Sequence, residues 1–247
     1  MMNVKQYLTD KIKNGTIHLA LLDPDKQNSE DAGKLAKLAK EAGTDAIMIG
    51  GSTGVTSDNL GETAKAIREM SGLPSIHFPG GPHELSSEVD AIFFMSLVNS
   101  SDPVWIIKAQ AYAAPYVKKL NIEALSMGYI LVEPGMKVGE VGKAELIKHT
   151  EIDKAVGYAL ACEILGMDFV YLEAGSGANV PVPADMISAV KNAISIPLIV
   201  GGGIRTPEAA KAAREAGADA IVTGTFIEEC SDEGLLKSVV EASRGKK

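Results

Sequence analysis

The chain predicts an α/β fold, specifically a (β/α)8 TIM barrel, and three observations carry that expectation. Short runs of apolar β-formers alternate with longer amphipathic runs along all 247 residues, the pattern of a parallel sheet wrapped by helices. Eight strand runs can be marked, at 17–23, 45–51, 74–80, 90–96, 128–134, 168–174, 196–202 and 219–225. Finally, "EAGTDAIMIGGS" (41–52) and "EAGADAIVTGTF" (215–226) repeat helix end, glycine, acidic strand start and apolar strand as one unit. An open doubly wound sheet would instead carry a dinucleotide fingerprint, and no G-x-G-x-x-G follows the first strand.

Taken in order, "IHLALLD" leads into the helix "SEDAGKLAKLAKEAG", and "DAIMIGG" into "DNLGETAKAIREMSG". After "PSIHFPG" the connection "GPHELSSEV" is too short and too rich in Gly, Pro and Ser for a helix, so a loop replaces the third barrel helix. "DAIFFMS" is followed by "DPVWIIKAQAYAAPYVKKL", "GYILVEP" by "EIDKAVGYALACEILG", and "DFVYLEA" by "PADMISAVKNAIS". The last two units are "IPLIVGG" with "TPEAAKAAREAG" and "DAIVTGT" with "DEGLLKSVVEASR". Most of these helices open on Ser, Asp, Thr or Pro, residues that satisfy or dispense with the first orphan amides. The expected organisation is one barrel domain over residues 1–247.

Composition narrows the function. The 24 Lys and Arg against 32 Asp and Glu give a net charge of −8, which disfavours nucleic acid and anionic surfaces as non-specific partners. The N-terminal "MMNVKQYLTDKIKNG" lacks the apolar core of a signal peptide, and interior apolar runs are broken by Gly, Asp or Lys, so a cytoplasmic protein without a membrane span is expected. Cys162 and Cys230 have no ligand partners at metal spacing and form no disulfide framework.

In a barrel the C-terminal strand ends share one rim, and the informative residues fall there. "VGGGIR" and "TGTF" place Gly202, Gly203, Gly224 and Thr225 at adjacent strand ends, where bare main chain can approach an anion closely. The helix start Thr206-Pro207-Glu208 adds its dipole, and "AGSGA" after the sixth strand adds a third such edge. A tight structural turn is the plain alternative for any one glycine run, but three neighbouring edges point to a phosphate. Tyr171 and Glu173, two residues apart, share a side of the sixth strand. A carboxylate beside a phosphate suits the hydroxyls of the same ligand, so the pair describes a small hydroxylated phosphate ester; the alternative is a rim salt bridge from Glu173 to Arg205. Across the rim, "LLDPDK" sets Asp23 at a strand end with Asp25 and Lys26 after it, and Ser52 sits at the next strand end. Carboxylate and hydroxyl oxygens suit Mg2+, although D-P-D also reads as an ordinary turn.

Other chemistries find less support. Lys26 lies beyond its strand and Lys108 inside a helix, so neither is the desolvated amine a Schiff-base aldolase needs. His77 lies on the third strand, His83 in the connection after it, and His18 and His149 have no evident acidic or hydroxyl partner, so all four read as structural or solvated. The helix "DPVWIIKAQAYAAPY" carries Trp105, Ile106, Ile107, Tyr112 and Tyr116, more apolar surface than packing against the barrel consumes; it lines an apolar groove, meets another subunit or packs internally.

The ordered set "HLALLDPDK", "IGGSTGVT", "FPGGPHELSSEVDAIFFMSLVNS", "GYILVEPG", "YLEAGSGANVPV", "VGGGIRTPEAA" and "DAIVTGTFIEE" resembles the geranylgeranylglyceryl phosphate synthase family over about residues 18–229. The resemblance implies a prenyltransferase that forms an ether bond between sn-glycerol 1-phosphate and geranylgeranyl diphosphate, the first committed step of archaeal ether-lipid synthesis. By motif it assigns Tyr171, Leu172, Glu173, Ala174, Gly175, Ser176, Gly177, Gly202, Gly203, Gly224 and Thr225 to glycerol phosphate, and Asp23 and Ser52 to Mg2+. Glu173 and Tyr171 are the expected catalytic pair, with Glu173 orienting the attacking alcohol. A loop in place of the third helix, a groove for the prenyl tail and a homo-oligomer from dimer to hexamer are family traits. The rival readings are a heptaprenylglyceryl phosphate synthase with a longer donor, a metal-independent sugar-phosphate isomerase or aldolase barrel, and a non-catalytic phosphate sensor.

Overall fold

The apolar runs pair in chain order. In the computed structural model, which describes residues 3–51, 54–224, 227 and 233–246, eight strands lie side by side. They are β1 (Gly15–Leu22), β2 (Ala46–Ile49), β3 (Ser75–His77), β4 (Ala91–Leu97), β5 (Glu123–Leu131), β6 (Phe169–Glu173), β7 (Leu198–Gly201) and β8 (Ala220–Thr223). Each is parallel to its neighbours, and β1 pairs with both β2 and β8, with Leu19 opposite Ala46 on one side and Val222 on the other. The sheet is therefore a closed barrel. A two-residue strand, β9 (Gly245–Lys246), adds antiparallel to the start of β1.

Helices α1 (Val4–Lys13), α2 (Ser29–Ala42), α3 (Ser57–Ser71), α4 (Ala109–Lys119), α5 (Met136–Val141), α6 (Ile152–Ile164), α7 (Ala184–Ala193), α8 (Pro207–Glu215) and α9 (Glu233–Ser243) complete the order. Their ends follow capping chemistry. Thr56 and Asn59 form a reciprocal box at the start of α3, Asn28 caps α2, and Thr206 caps α8 ahead of Pro207. Between β3 and β4 residues 78–90 form no helix, as the Gly and Pro content demands. That loop is tied by the Glu84 carboxylate, which accepts from the Gly80 and Gly81 amides, and by the Arg68–Glu88 ion pair at 2.8 Å.

Alternation sorts the core into two layers. Leu19, Met48, Ile76, Phe93, Met127, Phe169, Ile199 and Val222 fill the barrel, while Ile47, Ile130, Val170, Val200 and Ile221 face the helices. Helix α1 closes one mouth: Val4, Leu8 and Ile12 repeat every four residues and join the barrel interior. The Val4 and Lys5 amides donate to the Glu123 carboxylate at 2.6 and 3.0 Å, Lys5 pairs with Asp168, and the Tyr7 hydroxyl donates to the Asp45 carbonyl. Glu123, Asp168 and Asp45 stand at the starts of strands, so the plugged mouth is the N-terminal one and the chemistry is left to the C-terminal rim.

Several elements depart from expectation. Strand β5 begins at Glu123 rather than 128, because residues 123–127 pair with β4 from Ala91 to Met95 and the Asp168 carboxylate accepts from the Ser126 amide. Helices α1 and α5 and strand β9 went unmarked, and the helix placed over 102–120 opens with a π-helical turn, Val104–Lys108. Ser52, Thr225 and Cys230 lie outside the described residues.

Candidate active site

Parity on β6 points Tyr171 and Glu173 together into the upper barrel, and both are buried. The Tyr171 hydroxyl donates to the Glu173 carboxylate, and the Gly175 amide donates to Glu173 Oε1 at 2.7 Å. Burial nevertheless dominates and pushes the Glu173 carboxyl above its usual range, with those two hydrogen bonds pulling the other way. Tyr129 stands in register with Tyr171 on the next strand, their rings 5.2 Å apart. Phe78 stacks edge-on to Tyr129 at 5.5 Å. Burial, then the Glu173 charge, raises both tyrosine hydroxyls well above their ordinary range, so they remain donors beside the carboxylate. The carboxylate thus takes its bonds from Tyr171 and Gly175 rather than from a rim salt bridge to Arg205.

Beside Glu173 lies a small pocket of about 40 Å³ lined by Ser176, Gly177, Gly202, Gly203, Arg205 and Gly224 among others. Four of these are glycines, so what they present is main chain. Gly202 shows why no other residue serves: its φ is +81°, and a Cβ there would stand 2.4 Å from Glu173 Oε1 and 2.7 Å from the Ala174 amide. The pocket therefore unites the ends of β6, β7 and β8. Leu172 and Ala174, carried over with the same motif, place their side chains in the core between barrel and helices, so they contribute main chain at most. Arg205, just before the start of α8, supplies a cation that the sequence reading had considered only as a salt-bridge partner.

A larger cavity of about 270 Å³ opens from the same carboxylate toward β1 through β5. Its wall is mostly apolar, with Phe78, Leu85, Phe94, Trp105, Ala113 and Val138 in the lining, while Asp23, Lys26 and Lys137 stand at its polar end. Asp23 packs against Gly51, where a Cβ would lie 2.3 Å from its Oδ1, and it accepts from the Asp25 amide at 3.0 Å. Partial burial is the largest influence on Asp23 and raises its carboxyl, with smaller opposing pulls that include the Lys26 and Lys137 charges. Asp25 is exposed and packs over Gly54.

No group of three or more His, Cys, Asp or Glu among the described residues could hold a metal alone. Mg2+ does not need one, since it takes one or two carboxylates and completes its shell with water and substrate phosphates. A carboxylate whose burial disfavours its charge, at the mouth of a cavity with two lysines, fits that partial coordination. Elsewhere the histidines are structural: His18, for which no hydroxyl partner was expected, in fact bridges Thr44 and Thr223 at 2.9 Å each, His77 contacts the Ile49 carbonyl, and His149 the Glu133 carbonyl.

A closed parallel barrel with a glycine-lined pocket at the ends of its last three strands defines a TIM barrel, with that pocket where such barrels commonly bind phosphate. Residues 9–243 match the PcrB family, and the chain belongs to it. The geranylgeranylglyceryl phosphate synthase of Thermococcus kodakarensis is 51% identical over 99% of this chain and 97% of its own. The enzyme of that name from Pyrococcus furiosus is 50% identical over 98% and 97%. Among solved structures, (S)-3-O-geranylgeranylglyceryl phosphate synthase from Thermoplasma acidophilum in complex with substrate sn-glycerol-1-phosphate superposes with a TM-score of 0.95 at 43% identity, covering 99% of both chains. Thiamine phosphate pyrophosphorylase from Pyrococcus furiosus, 13% identical with a TM-score of 0.61, shares the fold alone.

Proposed function

We propose that this chain is a prenyltransferase that joins sn-glycerol 1-phosphate to geranylgeranyl diphosphate through an ether bond, as its relatives' names and the complex of its structural neighbour support. The observation that carries the reading at residue level is that Glu173 and Ser176 line both cavities, so a ligand in the small pocket meets a ligand in the large one at a single carboxylate.

The glycerol phosphate would sit with its phosphoryl group on the main chain of Gly177, Gly202, Gly203 and Gly224, with Arg205 balancing its charge. The glycerol hydroxyls then face Glu173, which Tyr171 and the Gly175 amide hold in one orientation. The prenyl tail would lie along Phe78, Leu85, Trp105 and Ala113, placing its allylic carbon at the Glu173 end and its diphosphate near Asp23, Lys26 and Lys137. The new bond joins the glycerol oxygen to that carbon as the carbon–diphosphate bond breaks, and the hydroxyl proton passes to Glu173. Its raised pKa makes it a better acceptor than an ordinary carboxylate. Asp23, with Ser52, would hold Mg2+, whose contribution when bound is to offset charge on the leaving diphosphate. Positioning two substrates in adjoining clefts supplies much of the rest.

No helix among the described residues is long and apolar enough to cross a membrane, and we place the enzyme in the cytoplasm as one barrel domain over residues 1–247, assembled as a homo-oligomer. Incubation with sn-glycerol 1-phosphate, geranylgeranyl diphosphate and Mg2+ tests the reading. Product with that acceptor and little with sn-glycerol 3-phosphate is expected, while turnover of a sugar phosphate without metal or prenyl donor would overturn it.

A further inference from the structure

We infer that the outer face of residues 104–119, together with the exposed rim of α5, is a docking surface for an anionic lipid bilayer. The helix has two dissimilar faces. Inward, Trp105, Ala109, Gln110 and Ala113 line the large cavity. Outward, Ile107 is 60% exposed and Tyr112 and Tyr116 are 49% exposed each, with Val104 and Leu120 exposed beside them. The two tyrosine rings lie 5.7 Å apart, and His83 from the helix-less loop stacks on Tyr112 at 4.9 Å, so the aromatic surface is ordered. Across the cavity, Met136 and Val141 of α5 are exposed, and Lys137, Val138 and Val141 line it. The apolar side chains therefore stand on both elements that border the opening.

Charge chooses the occupant. Residues 103–120 contain Lys108, Lys118 and Lys119 and no acidic residue, in a chain of net charge −8. The preceding Asp102 pairs with Lys143, and α5 carries Glu140 beside Lys137, so acidic groups at the margins are few and partly answered. A lysine-flanked strip with tyrosines and aliphatic side chains matches the headgroup and upper acyl region of an anionic leaflet. A second copy of this chain fits worse, because a two-fold contact through this face would set the same lysines against one another. The surface also has a use that rests on the proposed function: one helix would touch the leaflet with one face and the prenyl tail with the other, so a tail could pass between bilayer and cavity without crossing water.

The test is co-sedimentation of the full-length protein, without substrates, with phosphatidylcholine vesicles and with vesicles containing phosphatidylglycerol. Because no turnover is read, its outcome is independent of the reaction assay. Binding to the anionic vesicles is expected, weakening with salt and falling by about tenfold in both an Ile107→Ser/Tyr112→Ser/Tyr116→Ser variant and a Lys108→Glu/Lys118→Glu/Lys119→Glu variant. Unfolding of the first variant is sidestepped by a single Tyr116→Cys change in a Cys230→Ser background, labelled with an environment-sensitive dye. Its emission should shift to the blue with anionic vesicles, while the same label at Lys211→Cys on α8 should not shift. Absence of vesicle binding in the unaltered protein, binding by both variants equal to that of the unaltered protein, or a blue shift that follows protein concentration without lipid would overturn the proposal, the last assigning the face to self-association.

Discussion

Gly202 and Asp23 line different cavities that share Glu173, and they answer to different substrates. A Gly202→Ala change forces a side chain into a left-handed backbone and against Glu173 Oε1, so it should raise the KM for glycerol phosphate at least about tenfold, a loss of roughly 1.4 kcal/mol in binding. Steady-state kinetics with the prenyl donor saturating would show it. An Asp23→Ala change should instead abolish Mg2+-dependent turnover and leave glycerol phosphate binding, read by calorimetry, largely intact. Equal loss of acceptor binding would remove Asp23 from the metal end. The sequence exposed these residues because a glycine run or a D-P-D at a strand end needs no tertiary knowledge to be noticed. Tyr129, Phe78 and Lys137 were missed for the opposite reason. Tyr129 acquires meaning only when the β5–β6 register sets it beside Tyr171, and Lys137 sits on α5, whose six residues are too few to leave a periodic signal.

At the level of elements, α1 stabilises the barrel from the end away from the chemistry. Leu8 is 1% exposed in the barrel core, and its truncation leaves a cavity under the β-strand starts. Leu8→Ala should cost about 3 kcal/mol in denaturant unfolding while changing KM for either substrate little at a permissive temperature. Substantial loss of acceptor affinity in the folded fraction would mean the plug is coupled to the rim. This helix was not legible because three apolar positions among lysines and aspartates describe any amphipathic helix, and the barrel mouth it fills exists only after closure. The loop that replaces the third helix was legible, since Pro79, Gly80, Gly81 and Pro82 deny helix locally.

Taken whole, the molecule buries titratable groups of opposite sign. His18 is pushed by burial to about 3 and His77 to about 4, so both are neutral in the folded state. An unfolded chain protonates them below about 6.5. Their contribution to stability is therefore present above that pH and is lost as pH falls toward 4 and 3, by about 2 kcal/mol for each between pH 6.5 and 5. Glu173 runs the other way, since its raised folded pKa favours the protein below about 4.5 and that gain disappears as pH rises through the raised value. Urea midpoints should fall from pH 7 to pH 5, and a His18→Gln variant, less stable at pH 7, should fall less; an unchanged slope would show that His18 titrates normally.

Two cavities meeting at one carboxylate is a property of barrel closure, since the small pocket draws mainly on β6 to β8 and the large one mainly on β1 to β5, with Leu21, Glu173, Ser176 and Gly224 in both linings. The most direct measurement is single-turnover ether formation by Glu173→Gln alongside calorimetric binding of glycerol phosphate. Retained binding with a rate reduced by about 100-fold or more is the expected result, the range that removal of a positioned proton acceptor produces. Near-wild-type turnover with both substrates bound would contradict the placement of the reaction at Glu173.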